Sequence, residues 1–305
     1  MTEPAPLALD SKPLALVLGA KGTLGQALVA ELPGAGWNVA LAADRAVCDL
    51  RDLASVRGVV ARAFDQPGFA GRPGVVFNAA AYTDVDRAEG EGDLAYAVNG
   101  LAVEALARAA HEGGAKLVHY STDFVYDGER ERMYDEFDPP SPQGVYARSK
   151  VAGEVLAAAA TPRLFTVRVG CLYGHNGRNF PSTIVRRLRA GETVKADRER
   201  RGSPTWVRDV ARVSAVLARG EAYGLYHCTS QGKTSWADYA RFCAATLGLP
   251  EGRVEGLPTS ALPMKAPRPR RAILDNRMLR LRGLDGMPSW QDAARGFIAA
   301  ELAAG

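Results

Sequence analysis

The chain has 305 residues, of which 47% are hydrophobic and 24% charged, a balance typical of globular proteins and unlike that of disordered chains. The net charge of +4 is small. The densest basic runs, residues 198–201 and 268–271, are interpreted either as solvated surface or as a pocket for an anionic ligand such as a diphosphate. No recognised nucleic-acid-binding module accompanies the charge, so we expect no nucleic-acid partner.

Cysteine usage and the chain start bear on the compartment. The four cysteines lie far apart, with no Cys-x-x-Cys pair and no His/Cys cluster at metal spacing. They are expected to be reduced thiols, mostly buried, and no metal site is predicted. Residues 1–12 lack a basic segment and are interpreted as a leader other than a signal peptide. No apolar run reaches about 18 residues, so we expect a cytoplasmic protein without a membrane span.

Short apolar runs alternate with helical patterns through the first half of the chain. Strands are predicted at Pro13–Leu18, Val39–Ala42, Gly74–Phe77, Lys116–Tyr120 and Leu164–Val169, and helices at Leu24–Leu32, Ser55–Phe64, Asp93–Glu112 and Tyr146–Ala160. This alternation predicts an α/β fold, a doubly wound parallel sheet with helices on both faces.

After Gly170 the pattern becomes irregular, beginning with a Gly/Asn-rich loop. Helices are predicted at Pro181–Ala190, Val207–Leu217, Trp236–Leu247 and Trp290–Ala304, and a strand returning to the sheet at Gly224–Cys228. We therefore predict a main domain of residues 12–169, to which 204–235 return, and a smaller, discontinuous C-terminal lobe of residues 170–203 and 236–305.

The first predicted turn carries glycines at Gly19, Gly22 and Gly25, between a strand and a helix. Gly19 permits a sharp turn, Gly22 lets the backbone approach a pyrophosphate, and Gly25 lets the helix pack against the strand. The N–H groups at the helix start would face the phosphates. The turn predicts a dinucleotide site with contacts from Gly19, Lys21, Gly22, Thr23 and Leu24; the alternative is a structural turn of another α/β protein.

The second predicted strand is followed by Asp44 and Arg45. An acid there binds the ribose 2′-hydroxyl of NAD, whereas an arginine accepts the 2′-phosphate of NADP. Both residue types are present, so NADH and NADPH stay open, with Lys21 and Arg45 favouring NADPH. Asp49 and Leu50 are predicted to flank the adenine, or alternatively to cap the following helix.

A predicted helix places Tyr146 and Lys150 one turn apart, on one face. A nearby ammonium stabilises a phenolate, and moving the Tyr pKa from about 10 towards 7 requires roughly 4 kcal/mol. Tyr146 is thus a candidate proton donor for carbonyl reduction. Thr122, at the end of the fourth strand, is predicted to orient the carbonyl; the alternative is a strand-end cap.

Small residues follow the third strand at Ala79, Ala80 and Ala81. They are predicted to leave room for the nicotinamide ribose, with simple packing as the alternative. Asn99, on the next helix, is predicted to support the site through its backbone or a water.

Together these segments resemble the dTDP-4-dehydrorhamnose reductases, a family within the extended short-chain dehydrogenase/reductases. The similarity runs in family order over roughly residues 15–230 and is carried by segments 19–25, 78–86, 121–128, 146–154, 172–174, 179–180, 204–205 and 224–227.

The resemblance implies a Rossmann fold whose main domain binds NAD(P) and whose smaller lobe binds substrate. It implies hydride transfer from NAD(P)H to C4 of dTDP-4-dehydro-6-deoxy-L-mannose, which yields dTDP-L-rhamnose. Thr122, Tyr146 and Lys150 would be the catalytic group, with Tyr146 protonating the oxygen and Lys150 also holding the nicotinamide ribose. The implied substrate contacts are Tyr82, Thr122, Asp123, Phe124, Asn179, Phe180 and Arg200. A nucleotide-sugar is the expected binding partner. A homodimer is the expected assembly.

Three departures from the family pattern lie in the smaller lobe. Cys171 stands where many members have Trp, Glu199-Arg200 replaces the usual Asp-Gln, and Arg270-Arg271 replaces small polar residues. They leave the reduction chemistry intact and keep other 4-keto or 3-keto sugar nucleotides open as substrates.

Two further functions fit a chain of this kind. A nucleotide-sugar epimerase or dehydratase has the same fold, but dehydratases commonly carry Asp-Glu after the strand-end Thr, whereas Thr122 here precedes Asp123-Phe124. The regulatory β subunit of methionine adenosyltransferase also resembles this family, so a non-catalytic NADP-binding subunit is the second alternative. The complete Thr122, Tyr146 and Lys150 set favours an enzyme.

Overall fold

The computed structural model describes residues 12–65, 72, 74–175 and 179–303 of the chain. Residues 1–11 of the predicted leader, residues 176–178 of the Gly/Asn-rich loop and the predicted last helical residue, Ala304, lie outside the described residues.

The first half of the chain alternates strands and helices, as the sequence predicts. Its elements are β1 (Leu14–Leu18), α1 (Thr23–Gly34), β2 (Asn38–Ala43), α2 (Leu53–Phe64), β3 (Gly74–Asn78), α3 (Val85–Ala88), α4 (Gly92–Tyr96), a π-helical turn (Ala97–Leu101), α5 (Ala102–Glu112), β4 (Lys116–Thr122), a 3₁₀ turn (Asp123–Val125), α6 (Val145–Ala160) and β5 (Leu164–Val169). The helix predicted at Asp93–Glu112 is interrupted by the π turn, and the short α3 was not predicted.

The second half adds short strands to the predicted helices. Its elements are β6 (Leu172–Tyr173), α7 (Phe180–Arg189), β7 (Val194–Asp197), β8 (Arg201–Gly202), β9 (Thr205–Trp206), α8 (Val207–Leu217), β10 (Gly224–His227), β11 (Thr234–Ser235), α9 (Trp236–Thr246), β12 (Val254–Leu257), α10 (Arg277–Leu281) and α11 (Trp290–Ala303). Two further 3₁₀ turns lie at Glu251–Arg253 and Thr259–Ala261.

Within the described residues, the central sheet has six strands in the order β10-β5-β4-β3-β1-β2. Every neighbouring pair is parallel. The predicted return of Gly224–Cys228 to the sheet is confirmed, since Gly224 of β10 pairs with Phe165 of β5. The chain runs outward in opposite directions from β1 and β3, and such a switch point opens a crevice at the carboxyl ends of the strands.

The sheet is covered on both faces, which explains why its strands are apolar along their whole length. Successive residues of β1 point to opposite faces. Ala15 and Val17 belong to a buried cluster with residues of α1 and α8, whereas Leu16 and Leu18 belong to a second cluster with residues of α2 and α5. Each fully buried leucine stabilises the fold by about 2 kcal/mol.

The first of these clusters continues into the residues that follow Gly170. It joins Val17 of β1 to Tyr173, Tyr239 and Phe297 without a break. Helices α9 and α11 therefore pack on the same core as one face of the sheet. In the part of the chain that the structure describes, no helix is both long and apolar enough to cross a bilayer.

Candidate active site

A cleft of about 1470 Å³ lies at the carboxyl ends of the central strands. The residues predicted from the sequence to contact the coenzyme or the substrate all line this cleft, and they come from both halves of the chain. They are Gly19, Lys21, Gly22, Thr23, Leu24, Asp44, Arg45, Asp49, Leu50, Ala79, Ala80, Ala81, Tyr82, Thr122, Asp123, Phe124, Tyr146, Lys150, Asn179, Phe180 and Arg200.

The glycine turn at one end of the cleft is packed at backbone contact. Gly19 has a φ of +73°, and a Cβ there would lie 2.7 Å from the Ala80 nitrogen. A Cβ at Gly25 would lie 2.1 Å from the Gly19 carbonyl oxygen. Gly22 is the N-cap of α1 and has no side chain with which to cap that helix start. The turn therefore offers backbone N–H groups and a positive helix end to an anion.

Charged side chains surround the end of β2. Lys21 forms an ion pair with Asp44, whose carboxylate also accepts a hydrogen bond from the Ala46 nitrogen at 2.9 Å. The hydrogen bond from Lys21 is the main reason that the pKa of Asp44 is lowered. The Arg45 side chain is 70% exposed, with its Nε 3.4 Å from Asp49. The acid that would favour NAD thus already has a cationic partner, whereas Arg45 is held loosely.

Lys150 lies at the base of the cleft and is 2% exposed. Its Nζ donates a hydrogen bond to the Tyr120 carbonyl oxygen at 2.7 Å. Burial lowers the pKa of Lys150 to about 8, and the charge of Glu154 opposes that shift.

The predicted fall of the Tyr146 pKa is wrong for this structure. Burial raises the pKa of Tyr146 to about 12, opposed by a hydrogen bond with Thr122, while the charge of Asp123 raises it further. The physical reason is desolvation, because burial penalises the phenolate. The Lys150 ammonium meanwhile donates to a backbone carbonyl. Tyr146 therefore holds its proton at neutral pH.

Thr122 ends β4 and lies in the cleft. Its Oγ1 donates to Asp123 Oδ1 at 3.0 Å and accepts from the Phe124 nitrogen at 3.2 Å. The strand-end cap and the cleft position are thus both present. Asp123 itself is 4% exposed, and burial raises its pKa to about 7.

The Asn99 side chain forms three hydrogen bonds, a role that the sequence analysis did not assign to it. Its Oδ1 accepts from the Tyr82 nitrogen at 2.9 Å, and its Nδ2 donates to the Tyr82 oxygen and to Ser149 Oγ, both at 3.0 Å. Its carbonyl oxygen lies 2.0 Å from where a Gly153 Cβ would be. The π-helical turn thus holds the loop after β3 against α6, and such turns are frequent at functional sites.

A buried ion pair lies one turn beyond Lys150. Glu154 accepts two hydrogen bonds from Arg168, at 2.9 and 2.6 Å, and the Arg168 side chain is 3% exposed. Arg168 also donates to Tyr126 Oη at 2.6 Å, and that hydroxyl lies 3.0 Å from His227 Nε2. Sequence reasoning assigned no role to this network, although Glu154 ends one of the family-like segments.

The far end of the cleft is lined by residues that follow Gly170. Asn179 is the N-cap of α7 and accepts from the Ser182 nitrogen at 2.9 Å, while Phe180 packs edge-on against Trp236 at 5.5 Å. Arg200 Nε lies 2.6 Å from Asp197 Oδ2. Cleft residues that the sequence did not suggest include Lys195, Trp236, Leu262, Pro263 and Met264.

The two basic runs thus divide between cleft and surface. Arg200, Arg201 and Arg268 line the cleft, in line with an anionic ligand, whereas Arg198, Arg270 and Arg271 do not. The sequence pattern could not predict which arginines line the cleft, because the three come from segments that are distant in the chain.

Cys171 lies in the cleft with a φ of +50°, the left-handed region that favours glycine. Its Sγ occupies the space beside Gly202, where a Cβ would lie 2.7 Å away. Burial raises the pKa of this thiol, so it is uncharged at neutral pH. Among the described residues, no three His, Cys, Asp or Glu side chains are grouped so as to hold a metal ion.

The parallel sheet, the glycine turn after its first strand and the Tyr-x-x-x-Lys helix at one cleft define a Rossmann-type short-chain dehydrogenase/reductase of the extended class. The family model described as the RmlD substrate binding domain matches residues 14–302. The chain belongs to the dTDP-4-dehydrorhamnose reductase family, as its sequence resemblance predicted.

Individual relatives cover nearly the whole chain. A dTDP-4-dehydrorhamnose reductase of Burkholderia thailandensis is 37% identical over 294 residues, 91% of this chain and 95% of the relative. A dTDP-4-keto-6-deoxy-D-glucose reductase of Streptomyces niveus is 38% identical over 279 residues, 91% of this chain and 94% of the relative. The crystal structure of the Bacillus anthracis dTDP-4-dehydrorhamnose reductase in complex with NADP is similar with a TM-score of 0.87 and 33% identity, covering 95% of this chain and 99% of that one.

Proposed function

We propose that the chain reduces the C4 keto group of a dTDP-linked 6-deoxysugar, with dTDP-4-dehydro-L-rhamnose converted to dTDP-L-rhamnose. The observation that carries the proposal is one cleft lined by the glycine turn and by Thr122, Tyr146 and Lys150. Relatives with more than a third of their residues in common with this chain include reductases of two different dTDP-4-keto sugars. Reduction of a dTDP-linked ketone is therefore the shared chemistry.

The coenzyme is NADPH or NADH, and the chain's own residues fit it. The glycine turn is a cradle that a Cβ at Gly19 or Gly25 would fill. The open start of α1 suits the pyrophosphate, and Lys21 with Arg45 suits a 2′-phosphate. When bound, the reduced coenzyme supplies the hydride that adds to the carbonyl carbon.

The side chains of the cleft supply the proton and the alignment. Tyr146 is protonated at neutral pH, because burial raises its pKa to about 12. Its hydroxyl donates the proton to the carbonyl oxygen as negative charge develops there. Thr122 Oγ1 hydrogen-bonds the same oxygen and fixes its direction. Lys150 contributes positive charge at the base of the cleft and holds the nicotinamide ribose.

The two halves of the cleft divide the ligands between them. In this proposal residues 12–169 with 204–235 bind the coenzyme, and residues 170–203 with 236–305 bind the nucleotide-sugar. The cationic side chains of Lys195, Arg200 and Arg201 line the second half of the cleft. Guanidinium groups suit a diphosphate because they can form paired hydrogen bonds with it.

The test is consumption of NADPH and of NADH with a panel of dTDP-, UDP- and GDP-linked keto sugars. We expect turnover with the dTDP-4-keto-6-deoxy sugars. Tyr146→Phe should lose roughly 100- to 10,000-fold in rate while NADPH binding persists. Full turnover by this variant would remove Tyr146 from the reaction.

The same assay separates the alternatives. An epimerase would hold its NAD tightly and consume none over many turnovers. A non-catalytic subunit would bind NADPH, reduce none of the sugars and co-purify with a partner enzyme. Either outcome would replace the reductase proposal.

We also propose a homodimer and a cytoplasmic location. Leu101 and Val155, on the π turn and on α6 packed beside it, are 51% and 63% exposed, and a second copy of the chain would cover them. The four cysteines are free thiols, consistent with a reducing compartment. Sedimentation of the purified chain and of Val155→Glu tests the dimer, which the charged side chain should dissociate.

A further inference from the structure

Three segments of the chain meet at α3, outside the catalytic group. The short helix lies after β3, between the start of α6 and residues 262–272, here called the strap. A Cβ on Gly144, the N-cap of α6, would lie 2.8 Å from Glu89 Oε1 and 3.5 Å from Pro267 Cγ. The side chain directly after α3, the start of α6 and the strap therefore converge on one point.

The first contact holds the catalytic helix. Glu89, directly after α3, accepts a hydrogen bond at its Oε1 from the Val145 nitrogen at 2.8 Å. Val145 is the first residue of α6. The N-cap residue of this helix is Gly144, which has no side chain to cap it. A carboxylate at this end satisfies one of the open N–H groups and interacts favourably with the helix dipole. Tyr146 is the next residue, so Glu89 fixes the backbone that carries it.

The second contact holds the strap. Asp86 Oδ1 accepts from the Lys265 nitrogen at 3.0 Å and from the Ala266 nitrogen at 2.9 Å. Arg268 donates to both oxygens of Asp86, each at 2.9 Å. The hydrogen bond from Arg268 is the main reason that the pKa of Asp86 is lowered well below its usual range. One carboxylate thus organises four donors of the strap.

The strap is a wall of the cleft. Leu262, Pro263, Met264, Arg268, Pro269 and Ala272 all line it. Further along the strap, the Arg270 carbonyl oxygen accepts a hydrogen bond from the Arg201 nitrogen at 2.8 Å. Asp86 of α3 therefore joins the part of the molecule proposed to bind the coenzyme to the strap, which is a wall of the cleft.

We propose that α3 sets the distance between the catalytic helix and the substrate-side strap, with Glu89 and Asp86 as positioning residues for the reduction. The proposal rests on the proposed function for its kinetic consequence. Neither carboxylate needs to touch the substrate, because each acts through the backbone or the arginine that it binds. Displacement by about 1 Å can cost on the order of 100-fold in rate, so a small shift of α6 against the strap is measurable.

The Glu89 contact is tested by kinetics with matched variants. Glu89→Ala should lower kcat roughly tenfold with little change in the Kd for NADPH. Glu89→Gln keeps an acceptor oxygen for the Val145 nitrogen and should stay within about threefold of the unchanged protein. Asp93→Ala removes an exposed acid from the first turn of α4 and serves as the control for lost charge. Equal kcat values for Glu89→Ala and the control would overturn the role of Glu89.

The Asp86 contact is tested by a double-mutant cycle on KM. Asp86→Ala and Arg268→Ala should each raise KM for the sugar roughly tenfold, and the double variant should be no worse than either. Multiplication of the two effects would mean that Arg268 binds the substrate independently, which would overturn the role of Asp86.

Hydrogen exchange reads the same coupling without a substrate. Asp86→Ala should speed exchange at Lys265 and Ala266 and also at Val145, whereas Glu89→Ala should speed exchange at Val145 and also in the strap. Changes confined to the segment beside each substitution would overturn the coupling through α3. If the unchanged protein reduced no sugar but the exchange data showed the coupling, the proposed function alone would fail.

Discussion

Replacing Asp123 with Asn tests whether burial keeps this carboxyl protonated. Asp123 is only 4% exposed, and burial raises its pKa from 3.8 to about 7. The Thr122 hydroxyl at 3.0 Å offsets part of that cost. A carboxyl with a raised pKa binds more protons in the folded than in the unfolded chain, so the protein loses stability as pH rises between these two pKa values.

The Asn side chain is neutral at every pH, so the variant escapes that loss. One pKa unit corresponds to about 1.4 kcal/mol. The free energy of unfolding of Asp123→Asn, relative to the unchanged protein, should therefore rise by roughly 2–3 kcal/mol from about pH 5 to 8. Tyr146 and Cys171, the other titratable groups that face Asp123, have pKa values raised above this window and cancel in the difference.

Urea unfolding followed by the fluorescence of the four tryptophans measures the difference at both pH values. Asp127→Asn is the matched control, because a hydrogen bond from Tyr134 lowers the pKa of Asp127. Both its folded and its unfolded pKa then lie below about pH 4, and its stability difference should be constant over the same range. An Asp123→Asn difference that is equally constant would refute a buried, protonated Asp123.

Three further predictions concern the coenzyme turn, the coenzyme preference and the buried ion pair. Gly25→Ala should abolish NADPH binding, measured by fluorescence titration, because the added Cβ would lie 2.1 Å from the Gly19 oxygen, whereas Gly34→Ala, with open space around its Cβ, should bind normally. Lys21→Ala leaves Asp44 without its ion-pair partner and should lower the ratio of kcat/KM for NADPH over NADH at least about tenfold; an unchanged ratio would contradict this role. Glu154→Gln leaves the buried Arg168 without its carboxylate and should lower the free energy of unfolding in urea by about 3–5 kcal/mol. The double variant with Arg168→Met should recover most of that loss. An unchanged free energy of unfolding in Glu154→Gln would contradict the burial of the pair.

The sheet could be predicted because its residues follow simple local rules. Leu164–Val169 is a run of six residues buried on both faces, and its predicted bounds are those of β5. Gly19 and Gly25 could be interpreted because each is required by a backbone contact within the same turn. The placement of Tyr146 and Lys150 on one helix face could be predicted for the same reason, because it depends only on their spacing in the sequence.

Much of the second half of the chain could not be predicted in this way. β6 and β9 have two residues each and exist because Leu172 pairs with Thr205 and Tyr173 with Trp206. Such pairs carry no periodicity of their own. Arg268 is held at the cleft by its ion pair with Asp86, which lies nearly two hundred residues earlier in the chain. The spacing of residues in the sequence gives no sign of that contact. The predicted fall of the Tyr146 pKa was wrong for a related reason. The pKa depends on how deeply the phenol is buried, and that depth is set by the whole fold.

The order in which Lys150 and Tyr146 lose their protons follows from this burial. Lys150 has a pKa of about 8 and Tyr146 a pKa of about 12. The ammonium is therefore neutralised first as pH rises, and the base of the cleft then loses its positive charge while Tyr146 still holds a proton. Because that charge favours the developing alkoxide, the reductase rate should fall above about pH 8.

Asp123 titrates about one unit lower, so the kcat profile of Asp123→Asn isolates the Lys150 step. Lys150→Arg keeps its charge throughout and should move the alkaline limb upward. A rate that stays level in the unchanged protein to about pH 10 would mean that Lys150 remains charged there. The coupling to Glu154, rather than burial, would then dominate the electrostatics of the site.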